Sequence, residues 1–304
     1  FLGKGIRLDT NIELTPDSIK GRFIYSKPNF NYSDNTLFTS IKSSSSDFMT
    51  DSGYKTSEIG FSLGTKFEQF QNVFLSPEVD FLIEDLETSD KASAVLKKQE
   101  GSYTDLYFNY SINQDLRDKR FRTESGYQTF FSQEIPLISD NSEFANAFEI
   151  ASYKKLSTRS DAVGKISFFA KTITGLSDDV RVSKRLSVPS SKLRGFEKGK
   201  VGPKDSDSYI GGNYVFTLNL STTLPQILPS FQNTDFSFFI DMGNVWGVDY
   251  DSSIDDRSAL RASSGLAVDL LTPIGPMNFS FTETLYKASS DKTESFRFNI
   301  GTSF

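Results

Sequence analysis

The 304 residues contain neither cysteine nor histidine. Without cysteine there is no disulfide, thiolate metal ligand or thiol nucleophile. The further loss of histidine removes the commonest general base, most zinc sites and every Ser-His-Asp arrangement. No catalytic residue, metal or cofactor is therefore expected, and the chain is read as something other than an enzyme. Positive charge is also short: 33 Lys and Arg stand against 39 Asp and Glu, a net charge of −6. Phosphate binding draws on clustered Lys and Arg, and no such cluster occurs, so nucleic acid is excluded as a partner. Long apolar runs are missing too, since no stretch approaches the roughly 18 to 20 apolar residues of a membrane helix. The chain opens on Phe1 with no charged segment followed by an apolar one, and is expected to be a piece of a longer protein.

What the sequence does have is alternation. Phe296, Phe298, Ile300 and Phe304 fall on one side of an extended strand, with Arg297, Asn299, Gly301 and Ser303 on the other. A period of two gives one apolar and one polar face, and the pattern recurs along the chain between polar turns. Only 37% of the residues are hydrophobic, 24% are charged and the mean hydropathy is −0.35, values that normally indicate a soluble protein. A transmembrane β-barrel resolves the conflict, because half of each strand faces a wet lumen and dilutes the apolar signal. The 29 Phe and 12 Tyr suit a lipid-facing band with aromatic girdles. A soluble all-β sandwich would instead pack Phe279, Phe281 and Phe298 in a dry centre.

About fourteen strands are legible: 6–14, 19–26, 37–45, 55–67, 73–85, 106–112, 127–135, 144–156, 163–174, 214–221, 235–242, 260–271, 275–286 and 296–304. Between them, 88–100 places Ala92, Val95 and Leu96 at helical spacing before Gly101, which predicts a short helix in a loop. The stretch 175–210 is long, irregular and rich in Ser, Lys, Asp and Gly; loops of that length inside a domain are usually functional or disordered. Fold class is thus all-β, one antiparallel transmembrane barrel over residues 1–304 with no linker.

The long loop contains Leu193, Arg194, Gly195 and Phe196, then Gly202-Pro203, and Gly211 and Gly212 before Asn213 at the next strand. Asp241-Met242-Gly243-Asn244-Val245-Trp246 and Pro273-Ile274-Gly275-Pro276 follow in order, and then Asp291 to Glu294 and the terminal strand. These segments resemble the barrel of the BamA-like outer-membrane assembly family, in the bacterial surface antigen superfamily. They match its sixth extracellular loop, a strand end of the Asp-Met-Gly type and a Pro-x-Gly-Pro turn. Arg194 offers a planar fork that suits a carboxylate in a partly desolvated lumen, and by parity Asp241 faces that lumen. The resemblance implies that loop 175–210 folds inward and that Arg194 pairs with Asp241. A solvated loop cation and an ordinary lumen-lining carboxylate are the alternative. Where the family carries a second acidic residue, this chain has Ser221.

Further expectations come from the same resemblance. The terminal pattern Phe296, Phe298, Ile300 and Phe304 looks like the signal by which the assembly machinery recognises barrels. Phe1 to Gly5 looks like the turn after the family's second strand, so about fourteen of sixteen strands are present, and the POTRA domains that normally precede them are absent. The implied function is to fold and insert β-barrel proteins into the bacterial outer membrane by pairing client strands with an edge strand. The implied partners are outer-membrane lipids, unfolded barrel clients and accessory lipoproteins. A TamA-like or two-partner-secretion translocation pore and a passive porin are the other readings.

Overall fold

The computed structural model describes residues 5–90, 92–120, 122–158, 161–224, 233–272 and 275–300. The strands are β1 (Arg7–Thr15), β2 (Ser18–Lys27), β3 (Thr36–Phe48), β4 (Tyr54–Phe70), β5 (Val73–Thr88) and β6 (Gly101–Asp115). They continue with β7 (Ser125–Ser139), β8 (Glu143–Lys155), β9 (Val163–Gly175), β10 (Lys204–Asp205), β11 (Ser208–Tyr209) and β12 (Tyr214–Thr223). The last four are β13 (Thr234–Trp246), β14 (Arg261–Thr272), β15 (Gly275–Tyr286) and β16 (Phe296–Ile300). Fourteen of them form one sheet in the order β1 to β9 followed by β12 to β16, each neighbour antiparallel to the next, while β10 and β11 pair only with each other.

The alternation produces two faces of opposite character. Along β4, Ile59, Phe61 and Leu63 are exposed while Gly60, Ser62 and Gly64 are buried. Phe281, Phe296 and Phe298 likewise lie on the outer face, at 55%, 49% and 43% exposure, which no dry protein centre would allow. Exposed apolar rows of this kind need lipid to cover them. No helix of the described residues is long and apolar enough to cross a membrane; the strands do it. At 17 and 16 residues, β4 and β5 exceed the roughly 9 to 11 residues a tilted strand needs, so they project past the bilayer.

Because the sheet is a meander, every second connection lies at the same end. Segments 49–53, 89–100, 140–142, 176–213, 247–260 and 287–295 share one end. The short loop helix expected between 88 and 100 is present, and two details differ from expectation. The helix is a single turn, Ala94–Lys97, capped by the Ser93 hydroxyl on the Leu96 N–H at 3.3 Å. Pairing of Leu86 with Gly101 draws β5 and β6 out to 88 and 101 and leaves room for no more, so Gly101 opens a strand rather than stopping a helix. Segment 176–213 is also more ordered than its composition indicates. It holds a 3-10 turn at Val182–Lys184, the β10–β11 ladder and a bridge from Leu186 to Gly212.

The lumen is not uniformly wet. Val180, Leu186, Val188, Leu193, Phe196 and Val201 of the loop are buried against inward residues of the wall, Ala145, Ile173, Val215 and Val245. Six such side chains leaving water contribute roughly 9 to 18 kcal/mol gross at about 1.5 to 3 each, before the entropy of ordering the loop. Among the described residues β1 pairs only with β2 and β16 only with β15.

Candidate functional site

Arg194 leaves the loop toward β13 and meets Asp241 in a two-pronged contact, Nε to Oδ2 at 2.7 Å and Nη2 to Oδ1 at 2.8 Å. Its backbone N–H also donates to Oδ2 at 3.1 Å. Asp241 is fully buried and the Arg194 side chain 18% exposed, so the pair is desolvated and the planar fork matters. The guanidinium lies over the Phe239 ring, 3.4 Å from its centroid, a cation–π stack. Phe239 comes from the same strand two residues before Asp241, and therefore from the same face.

The second polar contact comes from Asn219. Its amide donates to Asp241 Oδ1 at 2.9 Å and to the Lys192 carbonyl at 2.6 Å, because strand register sets Asn219 opposite Asp241. Ser221, two residues further along β12, lies opposite Phe239 instead. The sequence position expected to hold the lost partner is thus beyond reach of the pair, and an amide fills the role.

Gly195 presses flat on the wall. Its φ is +86°, and a Cβ there would stand 2.5 Å from Thr282 Cγ2, so only glycine combines this backbone with this approach. The wall then grips the loop backbone: Ser263 Oγ donates to the Arg194 carbonyl at 2.6 Å and Thr284 Oγ1 to that of Gly195 at 3.2 Å. Phe196 and Leu193 are buried in the apolar cluster, and Phe196 bridges to Thr293. Arg297, inward on β16, donates to the carbonyls of Phe196, at 2.6 Å, and Ser190. Arg261 forks onto Asp291 at 2.9 and 3.1 Å, and Asp291 accepts the Gly202 N–H at 3.2 Å. Gly212 closes the loop, since a Cβ would stand 2.4 Å from the Trp246 carbonyl oxygen.

A second group of contacts lies at the start of the loop and was not singled out from sequence. Arg181 is wholly buried and reaches Glu84, Asp105 and Glu143 at 3.2, 2.6 and 2.9 Å. Lys184 reaches Glu58 at 3.3 Å and Glu84 at 3.8 Å. Burial alone would push the Lys184 ammonium down, but the Glu84 and Glu58 carboxylates hold it above its ordinary value. Arg185 pairs with Asp249 and donates to the Asn213 side-chain oxygen at 2.9 Å. Burial pushes the Asp249 carboxyl up; the Val180 N–H, Arg185 guanidinium and Asn213 amide outweigh it and hold the group below the usual carboxylate range.

Phe296, Phe298 and Ile300 all face outward on β16, with Phe298 stacked on Phe279 at 4.7 Å. Phe304, the turn Pro273-Ile274 and the opening residues Phe1 to Lys4 lie outside the described residues.

With this geometry in hand, comparison with known proteins is decisive. The model of the Omp85 superfamily domain matches residues 1–304. The chain belongs to the Omp85 superfamily. It is an outer-membrane β-barrel of the kind found in Gram-negative bacteria. The outer-membrane protein assembly factor BamA of Neisseria meningitidis is 33% identical over 141 residues, 37% of this chain and 17% of that protein. BamA of Neorickettsia risticii is 26% identical over 201 residues, 64% of this chain and 27% of that protein. The matched segments therefore span about a sixth to a quarter of these relatives. In fold it resembles the crystal structure of BamA from Haemophilus ducreyi lacking POTRA domains 1–3, with a TM-score of 0.88 at 21% identity over 97% of this chain and 64% of that one. CdiB from Acinetobacter baumannii is more distant, at 0.51 and 11% over 97% and 60%.

Proposed function

We propose that this Omp85 barrel is the membrane domain of an assembly factor that folds and inserts β-barrel proteins into the bacterial outer membrane. The observation that carries the reading is the outer edge of β16, which among the described residues is hydrogen-bonded to β15 alone. An edge of unpaired N–H and C=O groups can template a client strand through main-chain hydrogen bonds. Both curated relatives carry the assembly-factor name, which supports the same reading. The loop motif Leu193 to Phe196 holds the lumen side of β13 to β16 in place while the outer face engages clients. Its partners are outer-membrane lipids, unfolded barrel clients and the accessory lipoproteins that POTRA domains recruit. The work needs no covalent chemistry or cofactor, in keeping with a chain that has no His and no Cys.

An export pore, the reading favoured by the likeness to CdiB, needs an open passage, whereas this loop docks on the lumen side of the wall. Reconstitution tests the choice. The intact protein in lipid vesicles, with its accessory lipoproteins, should speed the insertion of a urea-unfolded barrel client, read as protease-protected, heat-modifiable product. A rate equal to that of empty vesicles, combined with a large steady conductance, would reject assembly in favour of a pore.

A further inference from the structure

Three carboxylates converge on one buried cation far from the Arg194 motif. Arg181 Nε donates to Glu143 Oε1 at 2.9 Å, Nη1 to Glu84 Oε2 at 3.2 Å, and Nη2 to Asp105 Oδ2 at 2.6 Å and Glu143 Oε2 at 2.9 Å. The Arg181 backbone N–H adds a bond to Glu143 Oε1 at 3.2 Å. The guanidinium lies over the Tyr103 ring at 4.5 Å. These acids come from β5, β6 and β8, so one side chain fastens three inward strand faces at once.

We infer that Arg181 is a positioning residue that anchors the inward loop to the wall opposite the Arg194 motif, making the loop a strap that fixes the separation of the two halves of the barrel. The sheet order supplies the first reason. Glu84, Asp105 and Glu143 stand on β5 to β8, whereas Asp241, Ser263, Thr284 and Arg297 stand on β13 to β16. The two anchor points are 13 residues apart in sequence, and a chain of that length extends to at most ~47 Å. The β16 edge lies in one of the two parts of the wall that the strap joins.

Charge supplies the second reason. A buried ion cluster adds little net stability, because desolvation cancels much of the attraction. Its product is geometry, and a planar fork bound to three strands fixes a register that apolar packing leaves loose. Val180 and Val182 on either side are buried, so docking alone did not require an ion there. Removing Arg181 leaves Glu84, Asp105 and Glu143 with Lys184 as the remaining loop cation at the cluster, 3.8 Å from Glu84. The wall would spread to let water in.

The inference rests on the assembly reading for its consequence, that the placement of the β16 edge governs client pairing, but its test reads the barrel alone. Spin labels on cysteines replacing Phe61 and Leu266, both lipid-facing and on β4 and β14, report the distance between the halves in the intact protein in lipid nanodiscs, with any cysteine elsewhere replaced. Arg181→Met should at least double the width of the distance distribution at temperatures well below unfolding, and Arg181→Lys should fall between it and the unchanged protein. A merely structural residue would lower the unfolding midpoint and leave the distribution alone; that outcome overturns the proposal. Should Arg181→Met not yield a folded barrel, Asp105→Asn and Tyr103→Leu carry the same readout, and an unchanged width in both overturns it equally. Loss of client insertion by the unmutated protein would reject the assembly reading and leave this measurement standing.

Discussion

Arg194 and Asp241 give the sharpest test of how the loop motif works. Arg194→Ala removes two charge-assisted bonds and the Phe239 stack and leaves a fully buried carboxylate held by the Asn219 amide and one backbone N–H. Stranding a buried charge in this way costs about 3 to 5 kcal/mol. Asp241→Asn keeps the shape and removes the charge, and should cost about 2 to 3 kcal/mol, one strong hydrogen bond to a charged group. Adding the two gives about 5 to 8 kcal/mol, but the double variant contains no stranded charge. It should cost about 3 to 5, a coupling of about 2 to 3 kcal/mol. The assay is equilibrium urea unfolding of the lipid-embedded intact barrel, followed by fluorescence of Trp246, the one tryptophan of these residues, which stacks on Tyr214 at 5.5 Å. The six apolar side chains of the loop and the Arg181 and Arg297 contacts are untouched by this substitution. Amide exchange across 180–201 should therefore stay slow in Arg194→Ala. Strict additivity of the two substitutions, or fast exchange of the loop, would refute the reasoning.

Three other outcomes follow from the same geometry. Gly195→Ala should destabilise by roughly 2 to 5 kcal/mol, backbone strain of about 1 to 2 plus overpacking against Thr282 of about 1 to 3, and Thr282→Ser should recover only the second part in the same urea assay; full recovery would mean that the +86° backbone carries no strain. Phe281→Arg on the outer face should cost about 2 to 4 kcal/mol in lipid while Phe281→Leu costs little, and equal midpoints for the two would deny that this face meets acyl chains. Asp249 is held below its ordinary pKa in the fold, so its contribution is complete above the unfolded value near 3.9 and fades as pH falls through the depressed folded one; pepsin should cut 246–261 faster as pH drops from about 4 to 2, and the same acceleration in Asp249→Asn would assign it to another group.

The strands were legible because their signal is local. Each needs only a period of two, and the fourteen strands read from the alternation are the fourteen of the sheet. Parity likewise turned Asp241 inward. Phe239 was hidden by its neighbours, since Phe238-Phe239-Ile240 reads as an unbroken apolar run although only the middle ring faces the lumen. Asn219 shares the parity of Ser221, and only the hydrogen-bonded register decides which of them meets Asp241. The Arg181 cluster was out of reach for a different reason: its acids lie 97, 76 and 38 residues away, and no pattern in one sequence links them. Yet the loop itself carried a cue. Val180, Val182, Leu186 and Val188 recur at even spacing in a stretch taken as irregular, and all four are buried.

Burial and charge therefore do separate jobs inside this barrel. Apolar side chains at 180, 186, 188, 193, 196 and 201 draw the loop out of water without specifying where on a curved wall it must settle, because the hydrophobic effect has no direction. Forked cations do specify it: Arg194 on Asp241 and Arg181 on its three acids each accept one orientation, and Arg261 does the same for Asp291, which takes the Gly202 N–H of the loop. Replacing Leu193 or Val188 by another apolar residue of similar volume should then cost little, while Arg→Lys at any of the three forks should loosen register out of proportion to the stability lost.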